Sequence, residues 1–210
     1  MEDTEQTQAL KLAQQPQHPS HQSGLDYLET LCGQSMCWVP SGLFLMGSDQ
    51  ERDPQAKDRE FPQHQVTLPG YWIGRYPVTV SQFRSFVETS GYQPTDASSL
   101  EGPDNHPVAV VTWHDALAFC DWLSEQTEIL VTLPSEAEWE KAGRGVDGQI
   151  YPWGDDPPDE SRCNSGRRME ESTPVDRYSP QGDSPYGCAD MAGNVWEWTR
   201  SLLRKYPYDP

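Results

Sequence analysis

The scarcities in this sequence narrow its function first. No stretch reaches the roughly 18 consecutive apolar residues that a membrane-spanning helix needs. The opening MEDTEQTQAL has neither the basic nor the apolar segment of an export signal. The chain therefore reads as soluble and cytoplasmic, with no membrane partner. Basic residues are few: 15 Lys and Arg stand against 33 Asp and Glu, a net charge of -18. A phosphate backbone would be repelled, which argues against a nucleic-acid partner. Cysteine is limited to five residues, an odd number at irregular spacing, so a disulfide framework is not indicated and the thiols are read as reduced.

Tryptophan, proline and glycine are plentiful, at eight, 19 and 16 residues. With only 35% hydrophobic residues, that composition describes one loop-rich domain in which large aromatic side chains anchor the core. Residues 1–36 are expected to be a flexible polar tail, because Gln, Pro, His and Ser dominate it and offer little apolar surface to offset the entropy of ordering. His18 and His21 lie in that tail without further ligands and are set aside as a metal site. The folded domain is expected over 37–210.

Within it, Gly42 to Met46 is a short apolar run bounded by glycines, His64 to Leu68 alternates, and Tyr71 to Gly74 is aromatic and β-branched; each predicts a strand. Phe83, Phe86 and Val87 fall at helical spacing after Thr79 or Ser81 as cap, with Gly91 as the stop. Pro107 to Val111 predicts another strand. Thr112-x-x-Asp115 then resembles a capping box with Asp in place of Glu, opening a helix whose Cys120 is a small core residue. Ser135-x-x-Glu138 is a stricter capping box, and Gly143 and Gly145 should end its helix. From Ile150 onward Pro, Gly and Asp predict ordered loop, for which bound cations are a candidate brace.

Several blocks, taken in order, resemble the formylglycine-generating-enzyme (sulfatase-modifying factor) family. They are Phe44-Leu45-Met46-Gly47, Pro62-x-His64-x-Val66-x-Leu68, Tyr76-Pro77-Val78-Thr79, and His106-Pro107-Val108 continuing to Ala116. Sharper ones follow: Leu133-Pro134-Ser135-Glu136-Ala137-Glu138-Trp139-Glu140, Tyr151-Pro152-Trp153-Gly154, and Tyr186 through Thr199. The resemblance implies an α+β fold related to C-type lectins, with a small twisted sheet, a few helices and much irregular chain. Trp139, Trp196 and Trp198 are expected to pin that scaffold from inside.

Chemistry is harder to place. The family's oxidases convert a sulfatase cysteine to formylglycine at a copper held by two cysteines, near R-G-G-S and G-F-R blocks that do not occur in this sequence. Residues 204–210 resemble the linker ahead of them, so the chain is expected to lie about 50 residues short of a complete domain. Hence no residue is assigned as catalytic, and copper belongs only to a complete family member. Cys32 and Cys37 could offer soft ligands to copper in principle but precede the first strand, so that role is set aside. Cys163 and Cys188 lack a neighbouring ligand pattern and read as inert buried thiols. The family's iron-dependent sulfoxide synthases use an H-x-x-x-H that is missing here, and His64, His106 and His114 read as structural.

The resemblance also implies calcium. The family's cation loop falls on Asp190, Met191, Gly193 and Val195, a carboxylate with main-chain oxygens, which is an oxygen-only set suited to Ca²⁺. A second site would begin at Asn164 with the carbonyl of Ser165, where Glu170 or Glu171 would supply the acid. The alternative is that Asp190 caps a turn and Asn164 forms an Asx-turn. As function, the sequence points to a family protein that in complete form oxidises a cysteine in a protein or peptide substrate. The alternatives are a non-catalytic ligand-binding module and a structural or regulatory paralogue.

Overall fold

The computed structural model describes residues 29–31, 34–165 and 171–207. His18, His21, Cys32 and Glu170 lie outside the described residues. Among the described residues, five strands and three α-helices make up most of the regular structure. Strands β1 (Glu29–Leu31), β2 (Gln34–Val39) and β5 (Tyr71–Gly74) form an antiparallel sheet in the order β1-β2-β5, and β3 (Gly42–Met46) pairs with β4 (His64–Leu68) in a second antiparallel sheet. Two small sheets thus stand where one was expected. Ordered structure also begins ahead of Cys37: Glu29 faces Met36 and Leu31 faces Gln34 across the β1–β2 ladder. That ladder mixes polar and apolar residues over three pairs held by backbone hydrogen bonds, so no apolar run or alternation revealed it.

Helix α1 (Val80–Ser90) starts at Thr79, whose hydroxyl accepts from the amide of Gln82, and ends at Gly91 in a left-handed conformation. Helix α2 (Trp113–Thr127) starts at Thr112 and α3 (Glu136–Arg144) at Ser135, each through a reciprocal capping box. The three cap expectations hold because every partner lies within three residues of the cap.

The strand expected at 107–111 is not formed. Pro107 makes a single bridge to Thr79, and Val110 turns to φ 59, which ends any extended run. After α3 the chain is irregular, apart from a bridge between Tyr151 and Gly154.

Three apolar clusters form the core. Phe83, Phe86, Phe119 and Leu123 join α1 to α2. Phe44, Met46, Val66 and Leu68 meet Ala137 between the second sheet and α3. Cys37 and Val39 from β2 meet Ala142 of α3 together with Cys188 and Met191 of the C-terminal loop. The polar face of α3 is also buried. Lys141 Nζ donates to the carbonyls of Pro40 (2.7 Å) and Gly42 (3.0 Å), and the Glu140 carboxylate accepts from the Gly47 amide and from Arg144, both at 2.6 Å. The helix thereby holds the turn joining the two sheets.

Candidate cation-binding loop

Residues 184–201 follow no regular secondary structure, so their order must come from specific bonds. The amide of Ala189 donates to the Arg75 carbonyl (2.8 Å) at the end of β5, and Ser184 brackets Cys188 through two main-chain and side-chain bonds. Asp190, Gly193 and Asn194 then take positive φ values of 56°, 96° and 62°. Gly193 is required for contact as well as for conformation: a Cβ there would lie 2.6 Å from the Asn164 carbonyl oxygen.

Asn194 organises the loop. Its Nδ2 donates to the Thr173 carbonyl and to Asp190 Oδ2, both at 3.1 Å, while its Oδ1 accepts from the Thr173 amide at 2.9 Å. Its own amide donates to the Asn164 carbonyl (3.1 Å), and Asn164 Nδ2 donates to the Glu171 carbonyl (3.0 Å). The segments around Asn164, Thr173 and Asp190 are therefore gathered by Asn194, the first through its main-chain amide and the other two through its side chain.

Of the residues expected to hold cations, Asp190, Gly193 and Asn164 come together here. The Met191 side chain lies in the core against Gly143, Val195 is half-buried, and Ser165 is exposed. Asp190 is buried and takes part in no ion pair among the described residues. Burial pushes its carboxyl up to about 6, the Asn194 amide opposes that shift, and Asp183 and Asp176 add to it.

Sequence reasoning missed Glu197, a second acid further along the same loop. Its Oε2 accepts from Trp139 Nε1 (3.1 Å). The protein packed around the carboxyl pushes it up, with a contribution from the Asp190 charge, although the residue as a whole stays exposed and solvent on its open side limits the effect. With Asp190 raising Glu197, and Asp183 and Asp176 raising Asp190, the loop is locally negative, and neither Asp190 nor Glu197 forms an ion pair among the described residues. Among the described residues no three His, Cys, Asp or Glu side chains gather as a metal-binding group. A cation here would therefore draw on main-chain and amide oxygens besides Asp190. That donor set fits a hard ion such as Ca²⁺.

The strip that follows is laid over the start of α3. Arg200 pairs with Glu138 (2.7 Å) and its amide donates to the Pro134 carbonyl, while Ser201 Oγ accepts from the Glu136 amide (3.0 Å). Trp113 Nε1 donates to the Thr199 carbonyl and Trp198 Nε1 to the Val111 carbonyl, both at 3.0 Å. The expectation that three tryptophans pin the core is corrected in part. Trp139 packs against the core, but Trp196 is 94% exposed and Trp198 48% exposed. The indole N–H of Trp198, rather than burial of its ring, is what ties it to the fold.

The block at Ser135 to Glu140 is thus joined to the block at Tyr186 to Thr199 by the Trp139–Glu197 bond and to the residues just after it by Arg200 and Ser201, which gives the resemblance a structural basis. The family model for the Sulfatase-modifying factor enzyme 1-like domain matches residues 26–209. This chain belongs to that family.

Among curated relatives, the hercynine oxygenase of Mycolicibacterium smegmatis is 34% identical over 203 residues, 80% of this chain and 46% of that protein. The formylglycine-generating enzyme of Mus musculus is 31% identical over 222 residues, 77% of this chain and 56% of that protein. The chain spans about half the length of these two relatives. Two differently named enzymes match at similar identity, so likeness alone does not select a reaction. The solved structure of PvdO from Pseudomonas aeruginosa superposes with a TM-score of 0.74 at 23% identity, covering 88% of this chain and 77% of that one, which shows the α+β fold. Among the described residues no helix is long and apolar enough to cross a membrane.

Proposed function

We propose that this chain forms the calcium-braced scaffold of a sulfatase-modifying-factor enzyme that, in complete form, oxidises a cysteine in a protein or peptide substrate in the cytoplasm. In this reading none of the 210 residues has a catalytic role of its own. The observation that carries the reading is Asp190: a buried carboxylate with no ion-pair partner among the described residues, in a turn that brings main-chain and amide oxygens of Asn164 and Asn194 close to it. Copper enters only with the family's cysteine-bearing segment. Calcium, when bound, supplies positive charge that lets Asp190 ionise and holds the Asn164 and Asp190 segments in place.

The test is thermal unfolding of the calcium-stripped chain with added Ca²⁺ or Mg²⁺. Calcium should raise the midpoint by several degrees at saturating concentration, because it binds the folded state alone, and Asp190→Asn should abolish the rise. An equal rise in that variant would sink the calcium assignment. The chain supplied with copper should also leave a cysteine-containing sulfatase-motif peptide unoxidised; turnover would overturn the scaffold reading.

A second reading, a non-catalytic binding module, is favoured by one feature. Trp196, Trp198, Leu202 and Leu203 expose large apolar surface along one strip, and such patches mark interaction sites. Retention of a peptide with no oxidation by the complete protein would favour this alternative.

A further inference from the structure

Two thiols far apart in sequence meet in the core. Cys37 sits in β2 opposite Ile73 of β5. Two residues before it, the Ser35 carbonyl accepts from the Arg75 amide (2.7 Å), and the Arg75 carbonyl in turn accepts from the amide of Ala189, the neighbour of Cys188. Arg75 thus staples β2 to the C-terminal loop, and the two cysteines come together beneath it. Both are buried free thiols that share one core cluster with Val39, Ala142 and Met191, and each shifts the ionisation of the other. Cys120 is packed separately, on α2. Cys163 is buried outside that cluster.

We propose that Cys37 and Cys188 are a redox dithiol that closes into a disulfide under peroxide, fastening the loop that carries Asp190 to the first sheet. This inference does not depend on the calcium reading. The steps balance. The Cys37 sulfur attacks one oxygen of hydrogen peroxide, the O–O bond breaks, and with the thiol proton one water leaves and a sulfenic acid remains. The Cys188 sulfur then attacks the Cys37 sulfur, the S–O bond breaks, and the Cys188 proton leaves with the hydroxyl as a second water. The two thiols lose two electrons and two protons, and the peroxide is reduced to water. Burial makes the reaction slow, since the oxidant enters only as the core breathes. The cross-link closes a loop of about 150 residues, long enough for a large restriction of the unfolded chain.

The experiment treats the reduced 210-residue chain with hydrogen peroxide, blocks remaining thiols with iodoacetamide, and maps peptides by mass spectrometry without reduction. The expected product is one cross-linked pair joining the Cys37 and Cys188 peptides, reversed by dithiothreitol, with Cys32, Cys120 and Cys163 alkylated. The oxidised chain should unfold about 10 °C higher than the reduced chain. Cys188→Ser should show neither the cross-link nor the rise; should that variant fail to fold, the wild-type peptide map decides alone. Cys37 or Cys188 recovered alkylated, over-oxidised or joined to another cysteine overturns the proposal, as does a cross-link that leaves the midpoint unchanged or lowered.

Discussion

Asp115 and Asp190 are both buried aspartates in one chain, and they are treated in opposite ways. Asp115, at the start of α2, is fully buried. Its Oδ1 accepts from Tyr92 Oη (2.9 Å) and from the Thr95 amide and hydroxyl (both 3.1 Å); its Oδ2 accepts from the Thr112 amide (2.7 Å) and hydroxyl (2.6 Å). Burial alone would raise its pKa, but these donors outweigh burial and hold it at about 2. Asp190 has one amide donor and two acidic neighbours, and rises to about 6. The difference teaches that burial does not fix the cost of a charge; the number of donors aimed at it does. The α1–α2 half arrives complete, with a carboxylate satisfied from within. The C-terminal loop holds a carboxylate with one side-chain donor, the Asn194 amide.

The sharpest way to break this comparison is Asp115→Ala. It removes five hydrogen bonds and leaves the Thr95 and Thr112 amides without their acceptor, which should cost about 3–5 kcal/mol in urea unfolding. A loss below about 1 kcal/mol would show that the network is not what stabilises that half.

The pH profile comes next in size, and the two aspartates act with opposite sign. Asp190 titrates higher in the folded state than its ordinary value of 3.8, so its contribution is present below that value and is lost as pH rises through about 6. Without calcium, this group should remove up to about 3 kcal/mol between pH 4 and pH 7. Asp115 titrates lower, so its contribution, about 2 kcal/mol, is present above 3.8 and fades as pH falls through about 2. Chemical denaturation across pH should show both limbs, and Asp190→Asn should flatten only the upper one.

Asn194→Ala sharpens the loop side. It strips the Thr173 amide and carbonyl of their partners, and a loss of about 2 kcal/mol is expected, with faster amide exchange over 171–175. The smallest effect belongs to Trp196→Ala. With 94% of its surface exposed, the change should shift stability by less than about 0.5 kcal/mol. A larger loss in thermal unfolding would place that ring in the core.

The legible parts of the sequence share a short range. Strands β3, β4 and β5, the caps at Thr79, Thr112 and Ser135 and the stops at Gly91 and Gly145 follow from alternation, capping chemistry and glycine. Even the unusual Asp in the second capping box could be read from its spacing. What could not be read was which further donors that Asp would collect: Tyr92 and Thr95 come from the turn after α1. In the candidate site, Asp190, Gly193 and Asn164 were legible through the family blocks. Asn194 as clamp and Glu197 as second acid were not, because their partners Thr173 and Trp139 lie far away in sequence. The early strand β1 and the bent chain at Val110 escaped for a related reason, since backbone pairing and a single positive φ leave little trace in residue type.

By itself, the sequence determined the family, strands β3 to β5 and where each helix starts, because the strands and caps depend on groups within a few residues of one another. Only the tertiary structure decided that Asp115 is surrounded by donors and Asp190 is not, that Cys37 meets Cys188, and that Trp196 faces water. Burial and electrostatic environment are set by whichever residues the folded chain brings into contact, from the neighbouring turn for Asp115 and from 151 residues away for Cys37 and Cys188.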